Sequence, residues 1–139
     1  MTTTAVARNV TQSTTTGYRP GTCNIGPYER RRRYRLAAGA FLVAAAYLLV
    51  VAVSGVPAVF AFGAFVPFSL GCEWCLQGRR SFCATLGFAG RYAFADRAGE
   101  VTDEAARRVD RRYAFRLTLL GLLTGAGLSV ATYAVVSLL

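Results

Sequence analysis

The sequence contains no histidine and no lysine, and its only methionine is Met1. Without histidine the chain has no ligand for His-ligated haem or histidine-containing zinc sites, and no base for Ser-His or Cys-His catalysis. We also see no phosphate-binding loop and no paired carboxylates of the kind that acid–base chemistry needs. The sequence therefore predicts a protein that is not an enzyme and has no resident cofactor.

Charge is also missing from two long stretches of the chain. Residues 36–71 and 117–139 contain no acidic or basic side chain, and charged residues make up only 17% of the whole sequence. A soluble domain is roughly one-quarter charged, and a helix exposed to water keeps one polar face. These uncharged stretches indicate an integral membrane protein.

The apolar stretches have the lengths of membrane-spanning helices. At about 1.5 Å per residue, a helix needs roughly 20 residues to cross a hydrocarbon core of about 30 Å. We predict an all-α membrane domain over residues 23–139, with three spans at about 36–53, 57–75 and 115–138. The preceding Thr-rich residues 1–22 lack apolar periodicity, which is typical of a disordered polar tail.

The arginines indicate an orientation. All 16 basic residues are arginines, and none lies in the short turn after the first span or after Arg116. The positive-inside rule predicts a cytoplasmic N-terminus and a cytoplasmic loop over residues 77–112, with the C-terminus outside. This orientation explains the net charge of +9 better than nucleic-acid binding does. We expect a multi-pass protein of a prokaryotic cell membrane.

Within that loop, residues 81–94 are apolar but too short to span a membrane, and they include Arg91. We predict a short amphipathic segment that lies against the membrane or packs on the helix ends. An ordinary buried loop is the alternative.

Two patterns suggest interaction surfaces. Five arginines directly precede the first span, and they either bind anionic lipid headgroups or act only as a topology signal: Arg30, Arg31, Arg32, Arg33 and Arg35. In the third span, Gly121, Gly125 and Ser129 share one helix face and would let a second helix approach closely. That helix could belong to the same chain or to a second copy in a homo-oligomer.

The four cysteines are Cys23, Cys72, Cys75 and Cys83, all expected at the cytoplasmic end of the bundle. Four thiolates could bind zinc or another thiolate-bound metal, although the spacing matches no standard zinc ribbon or ferredoxin pattern. A thiol redox pair at Cys72 and Cys75 is a second hypothesis. The third is that the cysteines serve as small apolar side chains. Between two of them, Glu73 is either a proton or cation site or a partner in an interfacial ion pair.

The segment CNIGPYERRRRYRLAAG, residues 23–39, resembles the opening of the small YgaP-like inner-membrane domains. Six of its residues are in register with that opening: Asn24, Ile25, Gly26, Glu29, Arg30 and Arg33. Ala37 stands where the family has a helix glycine. The family has two spans, so the third helix and the long loop fall outside the resemblance.

The segment also resembles uncharacterised small membrane proteins with the same CNIGP opening, and neither resemblance implies an established activity. From the residues themselves, Pro27 and Glu29 suit the first turn of a helix, so the motif fixes where the first helix begins.

We therefore expect an accessory, scaffold or interaction subunit whose partners are the bilayer, anionic lipids and a homo-oligomer or larger membrane complex, and not nucleic acid. The alternatives are cysteine-based metal-ion binding or transport at the cytoplasmic face and a membrane thiol redox partner.

Overall fold

The computed structural model describes residues 17–139. Helix α1 spans Pro27–Val53, a 3-10 helix spans Ala58–Ala64, and helix α2 spans Phe65–Arg80. A short helix α3 (Ala84–Ala89) is followed by strands β1 (Arg91–Ala93) and β2 (Ala98–Glu100) and then by helix α4 (Glu104–Val136).

The three predicted spans are confirmed as helices that are long and apolar enough to cross a membrane. They are Pro27–Val53, Ala58–Arg80 and Glu104–Val136. Helix α1 begins at Pro27, as the first-turn signal predicts, and therefore includes the arginine cluster. Helix α4 runs unbroken from a start that Asp103 caps, with Asp103 oxygens 3.1 Å from the Ala105 amide nitrogen and 3.3 Å from that of Ala106.

The second span is less regular than the other two. Its first seven residues form a 3-10 helix, and the α-helix begins only at Phe65, two residues before Pro67. In that position Pro67 interrupts no hydrogen bond of a preceding α-helical turn, so the irregularity lies upstream of the proline rather than at it. The Tyr47 hydroxyl donates to the Phe60 carbonyl oxygen across 2.8 Å and supports this segment.

The described chain divides into two compact units. The cap unit comprises the described residues up to Arg32 together with Gln77–Arg116, and the membrane unit comprises Arg33–Leu76 and Leu117–Leu139. The membrane unit contains only three charged side chains, which are Arg33, Arg35 and Glu73. The described part of the cap unit contains thirteen arginines and six acids. The membrane unit is therefore nearly uncharged, as a segment in a bilayer core must be, whereas the cap unit has the charge content of a segment in contact with water.

The cap unit contains a β-hairpin that the all-α prediction missed. Strands β1 and β2 are antiparallel, with Arg91 opposite Glu100 and Ala93 opposite Ala98. The Phe94 amide donates to the Arg97 carbonyl oxygen across 2.7 Å and closes the turn. The fold is thus mostly helical, with one small two-stranded sheet.

Residues 81–94 form neither one amphipathic helix nor a plain loop. They comprise helix α3 and strand β1, and Phe82, Cys83 and Ala84 are buried inside the cap unit. The Phe82 ring meets the Tyr113 ring edge to face, with centroids 4.8 Å apart. A Cβ atom on Gly87 would lie 2.7 Å from the Phe82 ring, so the absence of a side chain there allows this packing.

The prediction of a disordered tail up to residue 22 is wrong for residues 17–22. Tyr18 is buried with Val101 and Ala106, and its ring stacks on Tyr92 with centroids 5.5 Å apart. A bridge then joins Arg19 to Cys23. An aromatic residue at the end of a polar stretch was the available signal, and its partners lie more than 70 residues away. Residues 1–16 of the predicted tail lie outside the described residues.

Candidate functional site

The CNIGP opening is hydrogen-bonded to distant segments of the cap unit. We call the bonds of Asn24 and those of Asp110 together the clasp. Asn24 is fully buried, and its side chain makes two bonds to the backbone of Cys83: Nδ2 donates to the carbonyl oxygen at 3.0 Å, and the Cys83 amide donates to Oδ1 at 2.7 Å. The Asn24 backbone bonds to Ser81 and Ala93. An asparagine with both ends of its amide occupied is suited to holding segments together rather than to binding a ligand.

Asp110 is the second buried polar residue of the clasp. Asp110 is fully buried and accepts two short hydrogen bonds, each 2.6 Å, from the Tyr18 hydroxyl and the Gly21 amide. Burial, followed by the hydrogen bond to Asp110, raises the pKa of Tyr18 above its ordinary value. The alternating charges around Asp110 in the sequence give no sign of a partner 92 residues away.

Among the predicted lipid-facing arginines, Arg30 has a defined geometry. Its Nε donates to the carbonyl oxygen of Gly78, in the last turn of α2, across 3.0 Å. This bond gives a partner to one of the carbonyls that a helix C-terminus leaves free. Arg32 lies 3.8 Å from Glu29, while Arg31, Arg32 and Arg35 are exposed. The structure thus holds the Arg30 guanidinium in place.

The charges of the cap unit are unevenly distributed. Residues 91–108 contain four arginines and four acids, so this part, the tip, is neutral. One of its ion pairs joins Arg108 to Glu104 at 2.9 Å. Apart from Arg19, the excess charge lies on the helix turns that adjoin the apolar segments. We call this set the basic neck, and it consists of Arg30, Arg31, Arg32, Arg79, Arg80, Arg111, Arg112 and Arg116.

The cysteines are placed in both units. Cys83 is fully buried and Cys23 is partly buried in the cap unit, whereas Cys72 is partly buried and Cys75 exposed on α2 in the membrane unit. Within residues 17–139, the structure brings together no three cysteine, aspartate or glutamate side chains that could hold a metal ion. The thiolate-metal and redox hypotheses therefore stay predictions.

The small-residue face of the third span lies against α2 of the same chain. A Cβ atom on Gly121 would lie 2.8 Å from the Glu73 Cβ, and one on Gly125 would lie 2.6 Å from the Ser69 Cα. Ser129 continues this face and is buried. The Ser69 hydroxyl oxygen is also among the atoms that a Cβ atom on Gly125 would meet, so the absence of a side chain there allows the two helices to approach closely.

Glu73 lies at the same contact between α2 and α4. We call this contact of Gly121 and Gly125 with Glu73 and Ser69 the glycine seam. The Thr118 hydroxyl donates to its Oε1 atom across 3.0 Å. In a low-dielectric surrounding such a bond ties one helix to another and fixes their register. This contact gives Glu73 a role in packing that neither hypothesis from the sequence had included.

An apolar groove of about 440 Å³ lies in the membrane unit, between α1 residues such as Leu48 and Ala52 and α4 residues such as Leu128 and Val135. The hydroxyl of Thr132, which lines it, donates to the Ser129 carbonyl oxygen at 3.0 Å. The groove therefore offers an apolar wall and no polar group suited to chemistry.

Comparison of the chain with protein-family models, with curated proteins and with solved structures finds no match. The resemblance of residues 23–39 to YgaP-like domains and to other proteins with a CNIGP opening thus stays a prediction.

Proposed function

We propose that this chain is a non-enzymatic accessory or scaffold subunit embedded in a prokaryotic cell membrane, with its cap unit in the cytoplasm and its C-terminus outside. One observation carries the proposal. Thirteen arginines lie in the described cap unit, whereas the turn at residues 54–56 and the residues after Arg116 have none. Such a one-sided distribution is what the positive-inside rule associates with a cytoplasmic face.

The hydrogen bonds of the cap unit support a scaffold role. Two fully buried polar side chains of the cap unit are bonded to distant segments: Asn24 to the backbone of Cys83, and Asp110 to the Tyr18 hydroxyl and the Gly21 amide. Buried polar groups that are satisfied in this way specify one arrangement of segments. These bonds are what a rigid adaptor requires, and most arginines of the described cap unit are exposed.

Reporter fusions test the orientation. Alkaline phosphatase folds only outside the cytoplasm, so a fusion after Leu139 should be active and a green fluorescent protein fusion at the same position should be dark. Both reporters placed after Ser54 should behave in the same way. A fluorescent fusion at Leu139, with expressed but inactive phosphatase, would overturn the proposed orientation.

Extraction into polymer-bounded native nanodiscs tests the accessory role. We expect the tagged chain, expressed at low level, to be recovered in particles whose protein mass exceeds that of one chain. The excess mass should remain at higher salt, which weakens nonspecific ionic contacts. Recovery of single chains only, under conditions that retain a known membrane complex, would contradict a scaffold role.

Metal analysis tests the two cysteine hypotheses, which the sequence raised and no contact in the structure favours. The detergent-solubilised chain, purified without chelator, is compared with the Cys72→Ser/Cys75→Ser variant for metal content and thiol reactivity. Stoichiometric metal in the wild-type chain, lost in the variant, would replace the accessory role with metal handling. Equal, negligible metal in both would remove that hypothesis.

A further inference from the structure

Apart from Arg19, the excess positive charge of the described cap unit lies in the basic neck. The tip, residues 91–108, is electrically neutral, while the eight neck arginines have two acids near them in the sequence, Glu29 and Asp110. Glu29 lies beside Arg32, and both side-chain oxygens of Asp110 accept bonds from Tyr18 and Gly21. The neck thus carries an excess of positive charge that the cap unit does not neutralise.

Three neck arginines come together at the end of helix α2. Arg79 and Arg80 form its exposed last residues, and Arg30 is bonded through Nε to the carbonyl oxygen of Gly78, the residue before them. Within residues 17–139, the structure pairs none of the three with an acid. Because a guanidinium has five N–H donors, Arg30 keeps four for another ligand while its position is already fixed.

The chemistry of this group selects an oxyanion, and phosphate oxygens match the fork of a guanidinium. The position in the sequence selects the source of that phosphate. Arg30 lies six residues before the uncharged stretch that starts at Leu36, and Gly78 lies five residues after Glu73, at the end of the second span. Headgroup phosphates lie at such helix ends. A nucleic acid or an acidic protein would be expected to meet a basic tip, and the tip is neutral.

We propose that the basic neck is a binding site for the headgroup phosphate of anionic phospholipids, with Arg30 as the preformed contact and Arg79 and Arg80 beside it. This inference rests on the proposed membrane location of the chain. The proposed site joins the arginine cluster before the first span to the arginines at the end of the second span. These two groups are far apart in the sequence, and the bond from Arg30 to Gly78 connects them.

Trp74 provides the measurement, because it is the only tryptophan and lies four residues before Gly78 on α2. The full chain is reconstituted in phosphatidylcholine bilayers containing increasing amounts of brominated phosphatidylglycerol or, in parallel, brominated phosphatidylcholine. Quenching of Trp74 fluorescence gives the binding constant of one lipid relative to the other. We expect phosphatidylglycerol to be favoured about fivefold, which corresponds to about 1 kcal/mol, the usual effect of one arginine at the surface.

Matched variants locate the site. Arg30→Gln/Arg79→Gln/Arg80→Gln should bring the ratio close to one, and Arg91→Gln/Arg97→Gln/Arg108→Gln, which removes three charges from the tip, should leave it at the wild-type value. Arg79→Gln/Arg80→Gln changes only exposed side chains, so it keeps the test valid if the triple neck variant does not fold. A wild-type ratio of one, or an equal loss in the tip variant, would overturn the proposal.

Two further arms separate the alternatives. Arg30→Lys keeps the charge but not the Nε geometry, so we expect its ratio to fall below that of the wild type, and an unchanged ratio would overturn the role of Arg30. Inorganic phosphate replacing chloride at matched ionic strength should leave the ratio unchanged, whereas its abolition would indicate a soluble phosphate ligand. Because every arm uses chain already inserted in a bilayer, loss of lipid preference contradicts this inference without contradicting the proposed membrane function.

Discussion

The cap unit and the membrane unit are stabilised by different means. In the cap unit, two fully buried polar side chains bond to distant segments: Asn24 to Cys83, and Asp110 to Tyr18 and Gly21. In the membrane unit, α4 presents Gly121 and Gly125 to α2, so that backbones rather than large side chains come into contact. The cap unit thus relies on buried polar side chains, whereas the membrane unit combines close approach of small residues with bonds such as that from Thr118 to Glu73.

The difference has a physical reason. Apolar side chains gain little by leaving a lipid environment, since lipid tails are as apolar as leucine, and close packing and hydrogen bonds must hold membrane helices together. A small water-exposed unit buries little apolar area and depends on each buried polar group being satisfied. The two units should therefore respond to different substitutions, and the largest response is expected in the clasp.

Asn24→Ala should have the largest effect. It takes the Asn24 acceptor away from the buried Cys83 amide, at a cost of about 1–3 kcal/mol, and removes one hydrogen bond to the Cys83 carbonyl oxygen, which keeps the bond from the Gly87 amide. We expect the cap unit to lose about 3 kcal/mol while the membrane helices keep their structure. Hydrogen exchange measured by mass spectrometry should show faster exchange at Cys83 and Ala93 and unchanged exchange in residues 117–136.

Asn24→Asp serves as the control for that substitution, because it keeps the oxygen that accepts the Cys83 amide but places a second oxygen opposite the Cys83 carbonyl. It should lose less protection than Asn24→Ala only at low pH, where the carboxyl group is protonated and can donate in place of Nδ2. Equal loss of protection along the whole chain would show that the two units unfold as one, and would break the comparison.

Gly125→Ala should have the next largest effect, in the membrane unit. The new methyl group would lie 2.6 Å from the Ser69 Cα and 2.7 Å from its amide nitrogen, and backbone cannot move aside as a flexible side chain can. Overpacking of this kind costs about 1–3 kcal/mol. Reversible unfolding in mixed micelles with increasing sodium dodecyl sulfate should show a free energy of unfolding that is lower by about 2 kcal/mol.

Gly127→Ala is the matched control on the same helix. Nothing lies within 4 Å of the position that its Cβ would occupy, so the free energy of unfolding should stay unchanged or rise slightly, since alanine favours helix more than glycine does. Similar losses at the two positions would mean that the seam is not what stabilises the membrane unit.

The substitutions at Asn24 and at Gly125 test two features, the clasp and the small-residue face of α4, that the sequence predicts to different degrees. The long helices are predictable because their signals are local: uncharged runs long enough to span, Pro27 at a helix start, and Glu104 in the first turn of α4. The small-residue face of α4 is also visible in the sequence. Its partner is not, because the spacing of glycines is the same whether Ser69 of the same chain or a second chain lies opposite.

The parts of the cap unit that were missed depend on distant contacts. Strands β1 and β2 have three residues each, with Ala and Gly among them and no Asn-Gly turn between them, so local propensity does not predict a hairpin. Asn24 and Cys83 are 59 residues apart, and Tyr18 and Asp110 are 92 residues apart. Buried polar pairs at such separations leave no periodic trace in the sequence.

Tyr18→Phe should have a smaller effect, confined to the cap unit. It removes one hydrogen bond to a buried carboxylate and should cost about 1–2 kcal/mol. The effect should also depend on pH. The pKa of Tyr18 is raised above its ordinary value of 10.0, mainly by burial and then by Asp110. The stability that Tyr18 contributes is therefore complete below pH 10 and declines as the pH rises beyond it, where Tyr18 ionises more readily in the unfolded chain.

An alkaline titration in detergent checks this dependence. Tyrosine ionisation followed by absorbance at 295 nm should contain a late component in the wild-type chain that Tyr18→Phe lacks. Above pH 10, cap protection should decline less steeply in Tyr18→Phe than in the wild type. Identical titration curves for the wild type and Tyr18→Phe would show that Tyr18 does not contribute to the stability of the cap unit in this way.

The last experiment uses Cys75 and Cys83 as reporters, and it should leave the free energy of unfolding of the chain unchanged. Cys75 is exposed and Cys83 fully buried. In detergent, a maleimide should therefore modify Cys75 rapidly and Cys83 only when the cap unit opens. With single-cysteine variants, the Cys83 rate then measures cap opening, because exchange from a transiently opened state follows the population of that state.

Combining this probe with the earlier substitutions separates the two units. Asn24→Ala should accelerate Cys83 modification by about 100-fold, the ratio that corresponds to about 3 kcal/mol, and should leave Cys75 unchanged. Gly125→Ala should instead leave the Cys83 rate near the wild-type value if the units open independently. If Gly125→Ala accelerates Cys83 as strongly as Asn24→Ala does, the clasp and the glycine seam stabilise a single cooperative structure.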